Sequence, residues 1–243
     1  MSSLTRDQFL KLMAAGGATF LGLPSTPAAP PRGLPLPWAR LKFIAHGGND
    51  DNWNVHPNGD LNLIDSIREG ASVNLEKRWN VGDISNLESM CAFPFLFMHA
   101  ELSPALTTEH RSNLREYLLR GGFLFAEDCV LGKHNKKPGM PRDMFFQGMA
   151  EELQSLVPGA KFEKLPFDHP VFHSCYHFRD GMPHMQGVPH GLHGLTLHGR
   201  VLALLSPSDT HCAWTGPWFG EEKSRQALQM GTNIYTFALT QKA

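Results

Sequence analysis

Gly121-Gly122-Phe123-Leu124-Phe125-Ala126-Glu127-Asp128-Cys129 is the stretch on which the fold turns. Two glycines release it from the segment before. Four apolar residues follow, and then polarity arrives abruptly as Glu-Asp-Cys. A continuous apolar run bounded by glycine predicts a strand covered on both faces, as in a parallel sheet. In open α/β sheets, ligands bind outside the carboxyl ends of the strands. Glu127, Asp128 and Cys129 are expected at such an end.

Working outward, Leu114, Tyr117 and Leu118 hold helical spacing ahead of the glycines and predict a helix over 108–120. Thr108 is expected to cap it; Arg111 stands three residues on, so the pattern does not read as a capping box. Phe93-Pro94-Phe95-Leu96-Phe97-Met98 reads as the strand before that helix and ends in His99. A crossover helix of this length predicts Phe95–Met98 and Phe123–Ala126 as adjacent parallel strands. A first strand is expected over 38–45, a helix over 61–69, and a second strand within 73–81. Further along come a helix over 144–156 and a short strand over 161–165. A hairpin turns at His198-Gly199-Arg200, and a last helix over 224–239 is interrupted at Gly231. Strands alternating with helices predict one α/β domain over residues 38–243.

The 243 residues are 42% hydrophobic and 19% charged, which is ordinary for a folded chain. The net charge of −1 offers no basic field for nucleic acid. Four cysteines (Cys91, Cys129, Cys175, Cys212) are widely spaced and form neither a zinc ribbon nor a dense disulfide framework. Residues 1–37 read as an export signal followed by a linker. Arg6 and Lys11 precede a short apolar run from Leu12 to Leu23, and Pro/Ala-rich sequence follows. Thr5 to Lys11 resembles the twin-arginine consensus, with Asp7 where the second Arg belongs. The expectation is a periplasmic protein whose mature chain has no membrane span.

Three segments carry a family resemblance. They are Pro94-Phe95-Leu96-Phe97-Met98-His99, the run from Leu114 to Cys129, and Asp168-His169-Pro170-Val171-Phe172-His173-Ser174-Cys175-Tyr176. Together they resemble the bacterial family DUF4159, over roughly residues 40–239. The resemblance implies a flavodoxin-like, class I glutamine amidotransferase-like three-layer sandwich with a mostly parallel sheet, and it brings no known activity. In the amidotransferase superfamily the nucleophilic Cys sits on the turn directly after the equivalent strand. Here that position is Asp128, and Cys129 lies one place later. A one-residue offset redirects a strand side chain. No late His-x-Glu follows either, so amidotransfer is disfavoured.

The remaining polar residues suggest a ligand or metal site. His99, Asp128, His169 and His173 are the candidate metal ligands, because imidazole with carboxylate suits zinc, iron or manganese. His169, His173 and His177 are spaced by four and share one face if Pro170 opens a helix. The competing reading has Asp128 capping the next helix and His169-Pro170 fixing a loop. His46, Asn49 and Asp50, in a Gly/Asn-rich loop after the first strand, are candidate small-ligand contacts, together with Glu127, Asp209 and His211. Lys133, His134, Lys136 and Lys137 read as a basic loop, a lid or solvated surface. Three functions stay open: an exported binding protein for a small molecule or divalent metal, a metal-dependent hydrolase with Glu127 as base, and a module of an envelope complex.

Overall fold

The computed structural model describes residues 33–47, 52–130 and 141–241. The export segment, most of its linker, Asn49, Asp50 and the basic loop from Lys133 to Lys137 lie outside those residues.

Among the described residues, one seven-stranded sheet carries the fold. Its strands are β1 (Leu36–Lys42), β2 (Leu75–Asp83), β3 (Phe95–Ala100), β4 (Phe123–Asp128), β5 (Lys161–Lys164), β6 (His193–Leu197) and β7 (Arg200–Ser206), in the spatial order β2-β1-β3-β4-β7-β6-β5. From β2 to β7 every neighbouring pair is parallel; β6 and β5 close the sheet with antiparallel pairs. The first five places follow the doubly wound order 2-1-3-4-5, with β7 in the fifth place. Phe95 pairs with Phe123 and Met98 with Ala126 in parallel register, as the crossover argument expects.

The helices are α1 (Asn58–Gly70), α2 (Leu87–Cys91), α3 (Thr108–Leu119), α4 (Met144–Leu156), α5 (Thr210–Trp214) and α6 (Glu221–Thr240). They cover both sheet faces, so β3 and β4 are buried at every position. Alternation sorts the side chains. Leu96, Met98, Leu124 and Ala126 share one core with Leu114 of α3 and Phe145 and Met149 of α4. Phe95, Phe97, Phe123 and Phe125 share the other with Leu63, Ile64 and Ile67 of α1 and Trp214, Met230 and Ile234 from α5 and α6.

Several local expectations are corrected. The cap of α3 is Thr107, one residue earlier than expected. Its hydroxyl accepts from His110 N–H at 3.1 Å, and His110 Nδ1 accepts from Thr107 N–H at 3.4 Å. That is a capping box in which His stands in for Glu. Pro170 opens only a 3-10 turn over Pro170–Phe172, so the His169/His173/His177 triad gains no helical face. Helix α6 runs through Gly231 unbroken. A Cβ there would stand 2.6 Å from Leu63 Cδ1, so the glycine serves the close approach of α1 and α6.

Gly122 answers a similar demand. A Cβ would fall 2.3 Å from the ring of Tyr117, whose hydroxyl donates to Phe123 O and accepts from Phe123 N–H. The glycine pair therefore lets α3 fold back flush onto the start of β4.

Candidate functional site

The end of β4 places two consecutive acids on opposite faces of the sheet. Asp128 turns toward α4, where its Oδ2 accepts from Phe146 N–H at 2.7 Å. Glu127 turns the other way. One oxygen accepts from Ser206 Oγ, Thr210 N–H and Thr210 Oγ1, and the other from His211 N–H at 2.7 Å. Each carboxyl thus satisfies backbone donors at a helix start. Burial raises both above the ordinary carboxylate range, against those hydrogen bonds, with Asp128 pushed up to about 8. With both oxygens engaged, Glu127 is poorly placed to act as a free general base.

A buried ion pair stands on the Glu127 face. Arg40 of β1 and Asp60 of α1 are nearly inaccessible, and Arg40 Nε reaches both Asp60 oxygens at 3.0 Å while its terminal nitrogen also binds Oδ2. Trp38 Nε1 donates to Asp60 Oδ1 at 2.7 Å. Arg40 also donates to Val55 O at 2.9 Å, which fixes the chain before α1. Burial alone would raise Asp60; the Arg40 hydrogen bonds and guanidinium charge oppose it, and the carboxyl is held at about 2. His211 Nε2 is 2.8 Å from Arg40 and 3.3 Å from Asp60 Oδ2. A ring nitrogen that close to a guanidinium donor is an acceptor, so Arg40 rather than His211 is the charge partner of Asp60. Burial keeps His211 neutral in spite of Asp60.

Next to His211 lies His99, their ring centroids 4.1 Å apart. His99 is 1% exposed, and neither ring nitrogen has a hydrogen-bond partner among the described residues. Burial, then the neighbouring His211 and Arg40, drive it well below its usual range, so the ring is neutral and can offer a lone pair. Ligand atoms of His99, Cys129 and Asp209 all lie within 4.8 Å of one another. Asp209 follows β7 in the left-handed region (φ 54°), a conformation Asp tolerates better than most residues. Gln186 donates to its Oδ2 at 2.5 Å, while its Oδ1 has no hydrogen-bond partner among the described residues. Burial and the neighbouring Cys212 push Asp209 well above its ordinary range.

Cys129 Sγ stands 3.8 Å from Cys212 Sγ. The contact with Cys212 and burial raise the Cys129 thiol, and the same contact lowers Cys212. Cys129 is buried, whereas Cys212 is partly exposed and joins His56, Asn58, Gln186, Thr215 and Trp218 in the wall of a cleft of about 470 Å³. Imidazole, thiolate and carboxylate together form a donor set that can hold a divalent transition metal.

The four expected metal ligands are not brought together. His99 and Asp128 end adjacent strands but point to opposite faces, because His99 pairs in register with Glu127. His169 and His173 line a separate cleft with Gly199, Val201 and Gln241. Val201 is at the amino end of β7, five residues before Ser206, or roughly 16 Å of strand from the site. His169 Nδ1 accepts from Val171 N–H and caps the 3-10 turn, and His173 Nε2 meets Phe167 O at 2.9 Å. His46 is exposed on the loop after β1. Of the expected small-ligand contacts, Glu127, Asp209 and His211 converge.

Sequence reasoning passed over Arg40, Asp60 and the Cys129–Cys212 pair. Two signals were present. Arg40 sits between the apolar Ala39 and Leu41 in the first strand, and Asp60 falls on the same helical stripe as Leu63, Ile64 and Ile67.

The sequence model of the domain of unknown function DUF4159 matches residues 39–239, so the chain belongs to that family. No curated protein matches the sequence.

Proposed function

We propose that this member of the DUF4159 family binds a divalent transition metal, zinc or iron, through His99, Cys129 and Asp209 at the carboxyl edge of its sheet. The observation that carries the reading is His99, buried, with two ring nitrogens unpartnered among the described residues and within reach of a thiol and a carboxyl. An unsatisfied buried imidazole is costly unless something uses it. Once Cys129 and Asp209 ionise, the three ligands carry two negative charges and balance a divalent ion in a buried setting. The thiol favours zinc or iron over manganese. Gln186 on Asp209 supplies the outer support that metal carboxylates use.

The test is competitive titration of the purified full chain with zinc against a chromophoric chelator. One tight equivalent is expected, lost in His99→Ala and in Asp209→Asn and kept in the surface variant His173→Ala/His177→Ala. Equal binding by wild type and His99→Ala would overturn the reading.

The cleft beside Cys212 favours a second reading, metal-dependent hydrolysis. A three-ligand site leaves a position for water, and the cleft is walled by Cys212 and Gln186, the residues that touch Cys129 and Asp209. Turnover of an ester, amide or phosphate panel by the zinc-loaded protein, lost in His99→Ala, would support it; zinc binding without turnover of any of them leaves a binding protein.

Export is also proposed. The short apolar run and Pro/Ala-rich sequence in residues 1–37 support it. N-terminal sequencing from the native host is expected to find a start between Ser25 and Leu34. No helix among the described residues is long and apolar enough to cross a membrane.

A further inference from the structure

We infer that Cys129 and Cys212 form a reversible disulfide, and that closing it switches the metal site off. The two thiols come from different parts of the chain. Cys129 follows β4, and Cys212 lies in α5, after β7. Their sulfurs are already in contact at 3.8 Å, although 83 positions separate them in the sequence. Bond formation needs the sulfurs to close to about 2 Å, a movement of the kind that side-chain rotation supplies.

The two partners differ in access, as a peroxide-reactive pair requires. Cys212 is partly exposed and forms part of the wall of the cleft, while Cys129 is 4% exposed behind it. Cys212 therefore meets a dissolved oxidant first, and Cys129 is in position to resolve the product. The other two cysteines, Cys91 and Cys175, are exposed.

With hydrogen peroxide as the oxidant, the steps balance. The Cys212 sulfur attacks one peroxide oxygen, the O–O bond breaks, and water leaves. Cys212 is then a sulfenic acid. The Cys129 sulfur attacks the Cys212 sulfur, the S–O bond breaks, and the departing hydroxide takes the Cys129 proton as a second water. Two thiols have become one disulfide, and two electrons have reduced the peroxide. A thiol reductant reverses the exchange.

The consequence for the metal follows from one shared atom. Cys129 Sγ is the thiol of the His99/Cys129/Asp209 set, and a sulfur committed to a disulfide is not available as a thiolate ligand. This gating rests on the metal reading above; the disulfide itself does not.

The experiment uses the full chain with Cys91→Ser/Cys175→Ser, which removes the two exposed thiols, alongside wild type. Both are treated with hydrogen peroxide, and peptides are mapped without reduction. A cross-linked pair holding Cys129 and Cys212 is expected, absent in Cys212→Ser and reversed by dithiothreitol. Zinc titration of the same samples is expected to show binding in the reduced form and at least a tenfold loss in the oxidised form. If both cysteines stay open to alkylation after peroxide and denaturation, the inference is overturned whatever the zinc result. If the bond forms and zinc binds equally in both states, the gating is overturned. If the bond forms and neither state binds zinc, the metal reading and its gating fall and the redox pair stands.

Discussion

Arg40 and Asp60 meet through two nitrogens and two oxygens inside a layer of aromatic side chains, one on the second-from-edge strand and the other on the helix that covers it. Trp38 and Phe97 pack around them, and the guanidinium lies 5.8 Å from the Phe97 ring. Removing one partner leaves the other charge buried and unpaired.

Asp60→Asn is therefore expected to destabilise the fold by roughly 3–5 kcal/mol, measured by urea unfolding. Replacing both partners by apolar residues of similar volume, as in Arg40→Met/Asp60→Leu, is expected to recover only part of that loss, because Trp38 Nε1 and Val55 O then lose their partners. A single variant that unfolds at the wild-type midpoint would show that the pair contributes little.

Acid stability carries the same signature. Asp60 is held at about 2 in the fold against an ordinary 3.8. A carboxyl depressed by folding stabilises above its unfolded value and loses that contribution as pH falls through its folded value. Roughly 2 kcal/mol is expected to disappear between about pH 4 and pH 2. Unfolding midpoints of wild type and Asp60→Asn, compared across that window, should converge as the pH falls. Parallel curves would place the acid sensitivity elsewhere.

Gly122→Ala is expected to destabilise by about 1–3 kcal/mol, because the new Cβ meets the Tyr117 ring head-on. Gly199→Ala is the control. Nothing among the described residues lies within 4 Å of its added Cβ, so its cost comes from the left-handed backbone at φ 81°. If adding Tyr117→Leu to Gly122→Ala gives no relief, the clash is not the cause.

Glu127 accepts from four donors, so Glu127→Gln turns one acceptor into a donor facing donors. A loss of about 1–3 kcal/mol is expected. As a positioning residue it also sets where Asp209 and His211 sit. Zinc affinity is expected to fall in Glu127→Gln at temperatures where the variant is fully folded. Gln186→Ala, which frees Asp209 Oδ2, is expected to lose 10–100-fold of affinity with the thermal midpoint nearly unchanged. Wild-type affinity in both would detach this outer support from the site.

The central pair of strands and the α/β layering were legible because apolar runs and flanking glycines are local signals. Phe95–Met98 and Phe123–Ala126 read as they stand in the structure. Asp209 and His211 were also legible as polar residues following a strand. The site as a set was not. Which face a side chain takes depends on where alternation starts, and that put His99 with Glu127 rather than with Asp128. His169 was misplaced because its strand, β5, is an antiparallel edge partner of β6, and the chain after it returns past the amino end of β7. Cys129 was set aside by comparison with a nucleophile position. That comparison addresses one role for a thiol and leaves ligation and disulfide formation untouched.

The partner of β4 on its far side is β7, and between the two the chain makes α4, β5 and β6. His99 and Cys129 are therefore synthesised long before Asp209 and Cys212. A nascent chain that has reached only β6 carries β4 as an open edge, with Leu124 and Ala126 lacking the neighbours they have in the finished sheet. Pairing across so long a loop is slow to nucleate. The open β4 edge is then an aggregation hazard until β7 pairs with it. A metal ion bound by this set cannot bring β7 to that edge any sooner than it is made, since Asp209 follows β7 in the chain.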